Sequence, residues 1–306
     1  MADQAIQDRN QIDVLEADVT VHAPLLAGLF AGGIDVEAGI CPTPLGLETI
    51  DPKTGALYSH SYIFGYGLPL RHTGALAIGH MNPVVDVCFG LDTGTDTGTD
   101  TGVAHGAGDN NNRPGGIADV NLTLPGGTPT ALLLTHIGPE DSRHLVPFAN
   151  SAIRFYNDAI VTDRASDALT LTAEANYARE DGCRAEAYGL AGCASCTLGG
   201  HWAVNARAEV FRDGRNFFVS NPAGSLDYVA AERGTPANLI TAARPETYSE
   251  LTLGATYKPG FLPRRFATVL VRPELRYDRK LNGGRPYGAG HDSGVVTVGV
   301  DIVLGF

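Results

Sequence analysis

Three groups of residues could do chemistry. In "CRAEAYGLAGCASC", Cys193 and Cys196 stand three apart with Cys183 upstream, thiols of the kind zinc takes. On an extended strand, positions three apart point to opposite faces, so the pair cannot grip one ion. A disulfide between them would need the strand to end early. In "DTGTDTGTDTG" and the following "GDNNNR", across 92–112, hard oxygen donors suit calcium. The aspartates recur at a spacing of four and no glutamate closes a twelve-residue loop, so the stretch departs from the EF-hand pattern and favours a solvated external loop. The third group is His22, His80, His136 and His201. An outer-membrane lipase could assemble a serine and a histidine from separate strands, but nothing in the spacing pairs these with a nucleophile. They read as polar-face or girdle residues. No H-E-x-x-H, G-x-S-x-G, phosphate-cradling glycine loop or dinucleotide fingerprint occurs. The expectation is no enzyme, no metal site and no cofactor.

Selection by fixed charge is a different chemistry, and it needs ionised side chains at regular positions along a wall. The acids so placed are Glu16, Asp18, Asp35, Glu37, Asp86, Asp119, Glu174, Glu209, Glu250, Glu274, Asp278 and Asp301; the bases are Arg71, Arg207, Lys258, Arg272 and Arg276. Twelve acids against five bases predict a mild preference for cations. Four of the five bases fall on the last strands while acids dominate the first, which would set a transverse field. Cross-strand pairs such as Arg207 with Glu250, or Arg272 with Glu209, are compatible with this and would staple the wall. The stretch "LETIDPKTGALYSHSYIFGYG", 47–67, which makes up most of the connection at 42–66, is long and rich in tyrosine. Folded inward, it would put Glu48, Asp51, Tyr58, His60 and Tyr62 at a constriction. Left outside, it is an external loop whose Tyr62, Phe64 and Tyr66 join an aromatic girdle.

Strands must position these charges, because the charges alternate with apolar residues. In the final "SGVVTVGVDIVLGF", Val296, Val298, Val300, Ile302, Leu304 and Phe306 share one face, and Thr297, Gly299, Asp301, Val303 and Gly305 lie on the other. The same dyad runs through "FATVLVRPELRYDR", "SELTLGATYK", "HWAVNARAEVF", "ALTLTAEANY", "VVDVCFGL", "IDVEAGI" and "VLEADVTVH". About thirteen strands follow, near 14–25, 33–41, 67–80, 83–92, 116–125, 129–137, 153–163, 167–178, 185–198, 201–213, 247–258, 265–279 and 293–306. "ALLLTHI" and "FYNDAIV" alternate poorly, and Pro273 predicts a bulge in its strand. Short connections such as "HMNP", "PGG" and "GGH" take turns with longer ones at 42–66, 93–115, 138–152, 179–184, 214–246 and 280–292, of which 179–184 is brief. A sandwich has no reason to keep that rhythm, whereas a bacterial barrel has short periplasmic turns and long external loops.

Bulk composition agrees. Charged residues are 18%, glycine is high at 38, and Met and Trp number 2 and 1, which suits strands joined by turns. A net charge of -12 argues against nucleic-acid binding. No apolar run of eighteen residues occurs, so a helical span is not expected; a barrel strand escapes that test. The five cysteines are an odd set that does not fix the redox compartment. "MADQAIQDRNQ" is not a secretory signal. Counting back from a periplasmic end makes the first strand run inward from outside, so at least one strand is expected before residue 14, together with an export signal.

"PTPLGLETIDPKTGALYSHSYIFGYGLPLRHTGALA", "RAEVFRDGR", "ELTLGATYKP" and "VRPELRYDRKLNGG" resemble segments of bacterial outer-membrane β-barrels of the OmpL-like porin family. The resemblance runs from about residue 14 to Phe306, which looks like the signal read by the barrel-assembly machinery. The cysteines and the Thr-Gly-Thr-Asp loop depart from it. It implies a porin in the Gram-negative outer membrane without naming a solute. The expected organisation is an external-loop remnant or disordered start at 1–13 and an all-β, antiparallel up-and-down transmembrane barrel at 14–306. Its expected work is passive diffusion of small polar solutes or ions through a charged, water-filled lumen. Expected partners are membrane lipid, the assembly machinery, the solute and, by analogy with porin trimers, further copies of the chain. The rival is a secreted or surface β-sandwich for glycan binding or adhesion, with Trp202 and the tyrosines as stacking platforms.

Overall fold

Every segment that alternates in the sequence is a strand. A computed structural model describes residues 16–25, 28–95, 113–140, 152–182, 184–215, 217–219, 244–260 and 266–305. Among them lie β1 (Ala17–Ala23), β2 (Ile34–Pro42), β3 (Arg71–Asn82), β4 (Val85–Thr95), β5 (Gly115–Thr123), β6 (Thr130–Gly138) and β7 (Arg154–Asp163). The rest are β8 (Leu169–Glu180), β9 (Ala185–Leu198), β10 (Trp202–Asp213), β11 (Glu246–Tyr257), β12 (Thr268–Lys280) and β13 (Gly294–Gly305). Each pairs with the next in one thirteen-stranded antiparallel sheet. Apart from β1, the strands run 9–14 residues, enough for a tilted strand to cross a bilayer. β1 and β13 are not paired with each other, so the sheet is not closed.

The two faces of the sheet decide between barrel and sandwich. On β13, Val296, Val298, Val300 and Ile302 are all more than 60% exposed, and Phe89 and Leu91 on β4 behave likewise. The other face buries Glu174, Asn205, Arg207, Glu209, Glu250, Thr252, Arg272, Glu274 and Asp278. Two stacked sheets would hide the aliphatic side and wet the charged one. The opposite is found, and the sandwich reading is overturned.

The differences from the sequence reading have physical causes. β3 begins at Arg71 instead of 67, because Ile63–Gly67 winds into a π-helical turn whose Ile63 and Phe64 are buried. No bulge forms at Pro273. It sits opposite Val300 in an unbroken register with β13, and the ladder to β11 pauses there and resumes unshifted, from Gly254↔Glu274 to Tyr257↔Val271. The irregular registers are instead on β3 with β4, between His72 and Gly74 and between His80 and Asn82. β6 and β7 alternate poorly because some of their inner positions, Leu134, Tyr156 and Ile160, are apolar too. Leu134 and Tyr156 join a small internal core with Leu45, Ile63 and Leu68.

Candidate functional site

Residues 43–70, between β2 and β3, fold across the charged face of the sheet. Thr43 N–H donates to Leu70 O at 3.0 Å and closes the base of the excursion. Inside, the loop backbone lacks strand partners, and a buried N–H or C=O must find one. The wall provides them. Gly46 and Leu47 N–H donate to Asp158 (3.1 Å) and Glu174 (2.9 Å) on β7 and β8. Tyr62 and Ile63 N–H donate to Glu209 on β10 at 2.6 and 2.7 Å, and Tyr58 and Ser59 N–H to Glu274 on β12 at 2.8 and 3.0 Å.

Basic and amide side chains serve the loop carbonyls. Asn205 donates to Ala56 O at 2.9 Å, Arg207 to Ser59 O at 2.8 Å, and Arg276 and Arg272 to His60 O and Gly55 O. Glu48 turns back from the loop to accept from Arg207 and from Ser61 N–H at 2.7 Å. Glycine makes room on the wall. A Cβ on Gly189 would lie 2.3 Å from Ile63 Cγ1, and one on Gly254 2.6 Å from Leu57. Of the two positions the sequence leaves open for this stretch, inward or external, the loop takes the inward one.

Between the loop and the β12–β13 wall lies a cavity of about 550 Å³, lined by Tyr58, Ser59, His60, Tyr62, Tyr66, Arg276, Asp278, Tyr287 and Thr297. The Tyr62 and Tyr287 hydroxyls meet at 2.8 Å across it. Tyr62 also stacks on Tyr248 at 5.3 Å and Phe211 at 6.3 Å, which makes it a packed pillar, not a girdle residue. A second hollow of about 190 Å³ lies against β8–β10, beside Glu48, His60, Thr172, Cys193, Asn205 and Arg207. Burial holds His60 below the ordinary imidazole value of 6.5, with the Glu48 carboxylate pulling the other way, and its ring stacks on Phe64 at 4.1 Å.

The predicted wall residues divide into several sets. Arg207 pairs with Glu250 at 2.5 Å, as one predicted staple requires. Arg272 pairs with Asp301, not Glu209, because the register sets Arg272 directly opposite Asp301 while Glu209 lies level with Glu250 and Asp278; Arg276 pairs with Asp278 at 2.6 Å. Asp35 and Asp86 are bridged by His80 (3.1 and 2.8 Å), and His22 also reaches Asp35 at 2.5 Å. Asp18, Glu37 and Asp119 are half-buried on β1, β2 and β5, and Arg71 is buried at the start of β3. Two wall positions fall away: Glu16 is exposed before β1 and Lys258 is exposed past the end of β11. Of the constriction candidates, Asp51 pairs with Lys53 at 3.1 Å at a turn of the loop, away from the cavity. Cys41, Cys88, Cys193 and Cys196 are free thiols. Phe306, Cys183, residues 1–13 and the part of 92–112 beyond 95 lie outside the described residues.

Sequence reasoning missed Asp158, Asn176 and Asn205, which hold the loop, and the buried Arg154–Glu180 pair at 2.8 Å. Asn176 and Asn205 share strand parity with Glu174 and Arg207, so the alternation itself was the available signal.

An apolar exterior, a charged interior and an inward loop between consecutive strands define an outer-membrane β-barrel of the porin type. The family described as "Putative beta-barrel porin-2, OmpL-like" matches residues 2–306, and the chain belongs to that family of the Gram-negative outer membrane. Similar solved structures include in-vitro folded OmpT, an outer membrane protein of Vibrio cholerae (13% identity, 87% of this chain and 74% of that one, TM-score 0.50). Its trimer form covers 88% and 76% at 13% identity, also with a TM-score of 0.50. The outer membrane channel DcaP of Acinetobacter baumannii covers 89% and 73% at 11% identity with a TM-score of 0.49. The likeness of fold rests on the two OmpT structures. No curated protein matches the chain.

Proposed function

We propose that this porin-family barrel passes small polar solutes or ions by passive diffusion, with loop 43–70 as its constriction and a mild preference for cations. The observation that carries the reading is the loop itself, held inside a charged wall by hydrogen bonds from four strands, beside a polar cavity of about 550 Å³. Such a wall selects by field and size and does no chemistry on the solute. The inward charges support the sign. Asp158, Glu180, Asp213 and Glu140 add to the predicted acids, against Arg154 as the buried base beside them. Association of several copies belongs to the same proposal, by analogy with the trimer form of the similar Vibrio protein.

Planar-bilayer recording tests it. Purified chain should give discrete conductance steps and, across a potassium chloride gradient, a reversal potential of the sign set by cation flow. A barrel that inserts without conducting would sink the channel; a potential of anion sign would sink the preference.

A further inference from the structure

On the inner face, away from the arginine-rich strands, three buried side chains converge from three strands: His72 on β3, Asp92 on β4 and His136 on β6. His72 Nδ1 lies 2.9 Å and His136 Nε2 3.1 Å from the same oxygen, Asp92 Oδ2. One ligand atom from each falls within 4.8 Å of the others. Glu140, also buried, brings Oε1 to 4.0 Å from His136 Nε2.

Two imidazoles with carboxylate oxygens are a donor set for a divalent first-row transition ion. The spacing suits one. A tetrahedral ion with bonds of about 2.0–2.1 Å sets its donor atoms roughly 3.3 Å apart, a few tenths of an ångström more than the two contacts to Asp92. The surroundings also fit. Thr43 Oγ1 is 2.9 Å from His72 Nε2, so the outer nitrogen is engaged and Nδ1 is left to face Asp92. The polar contacts of the His136 ring run through Nε2, since its buried Nδ1 has no hydrogen-bond partner among the described residues. A Cβ on Gly115 would stand 2.5 Å from Asp92 Oδ1 and 2.7 Å from His136 Nε2, and one on Gly138 2.9 Å from Glu140 Oε1. Both neighbours are thus the residue that leaves the cluster room.

We propose that His72 Nδ1, His136 Nε2 and Asp92 bind one divalent ion of the zinc class. Thr43 ties the site to the base of the inward loop, so the bound ion braces the loop where it leaves the wall.

The test is on the full chain, folded in detergent, stripped with EDTA and titrated with zinc chloride by calorimetry. One equivalent should bind. Asp92→Asn and His136→Ala should each weaken binding about tenfold or more, and His201→Ala, at the opposite rim, should leave it unchanged. Because a variant of a buried residue can fail to fold, cobalt titration of the unaltered chain gives an independent reading: ligand-field absorption bands saturating at one equivalent and bleached by zinc. Absence of stoichiometric binding overturns the proposal. So does a loss confined to His80→Ala, which would assign the ion to the partly exposed His22–Asp35–His80 cluster. None of these readouts depends on conductance.

Discussion

Glu209→Gln is the most informative single change in the loop seat. Glu209 is buried on β10, and its two oxygens accept from Tyr62 N–H at 2.6 Å and Ile63 N–H at 2.7 Å. Glutamine keeps the volume but turns an NH₂ donor toward one of those amides. At least one buried hydrogen bond is lost and a buried donor is left facing a donor, together about 2–3 kcal/mol. The remaining anchors, on Asp158, Glu174, Glu274, Arg207 and Arg276, are untouched, so the loop should loosen at 62–63 without leaving the lumen. Amide hydrogen exchange in detergent micelles reads this directly. At about 1.4 kcal/mol per decade, Tyr62 and Ile63 should exchange roughly 30- to 150-fold faster, while strand amides of β4 and β5 keep their rates. Unchanged exchange at Tyr62 and Ile63 in a folded variant would refute the account of the seat.

The remaining predictions follow the same geometry. Val300, 62% exposed at the middle of β13, should meet lipid, so Val300→Arg should cost about 2–4 kcal/mol in urea unfolding from lipid vesicles. Gly299→Arg points the other way, toward Tyr58 at 3.0 Å, and should alter single-channel current instead. Arg207→Ala removes the close partner of buried Glu250, leaving it Thr252 and the more distant Arg276, and releases Glu48, and should lower stability by about 3 kcal/mol in the same unfolding assay. For His60, whose folded value lies below 6.5, the neutral form is the one the seat favours. Its support is complete above 6.5 and fades as pH falls from there through the folded value, so mild acid should make the current noisier, and His60→Asn should remove that part of the response.

The strands were legible because a bilayer writes apolar residues at every second position, and the thirteen expected segments match β1–β13 within a few residues at each end. Legibility failed where the wall is apolar on both sides, as at Leu134 and Tyr156, since alternation vanishes when an inner position packs against the loop. Parity placed Glu209, Arg207 and Glu274 on the inner face. Their partners were out of reach, because Gly46 meets Asp158 across 112 residues and Tyr58 meets Glu274 across 216, and no local pattern encodes such contacts. His72, Asp92 and His136 share this limit: register alone decides that three inward positions on separate strands coincide.

In the proposed channel, loop 43–70 narrows a water-filled lumen. Single-channel recording of a variant in which 47–66 is replaced by a short Gly-Ser link tests it most directly. Conductance should rise above that of the unaltered chain, with heat-modifiable migration showing an intact barrel. An intact barrel whose conductance matches that of the unaltered chain would contradict it.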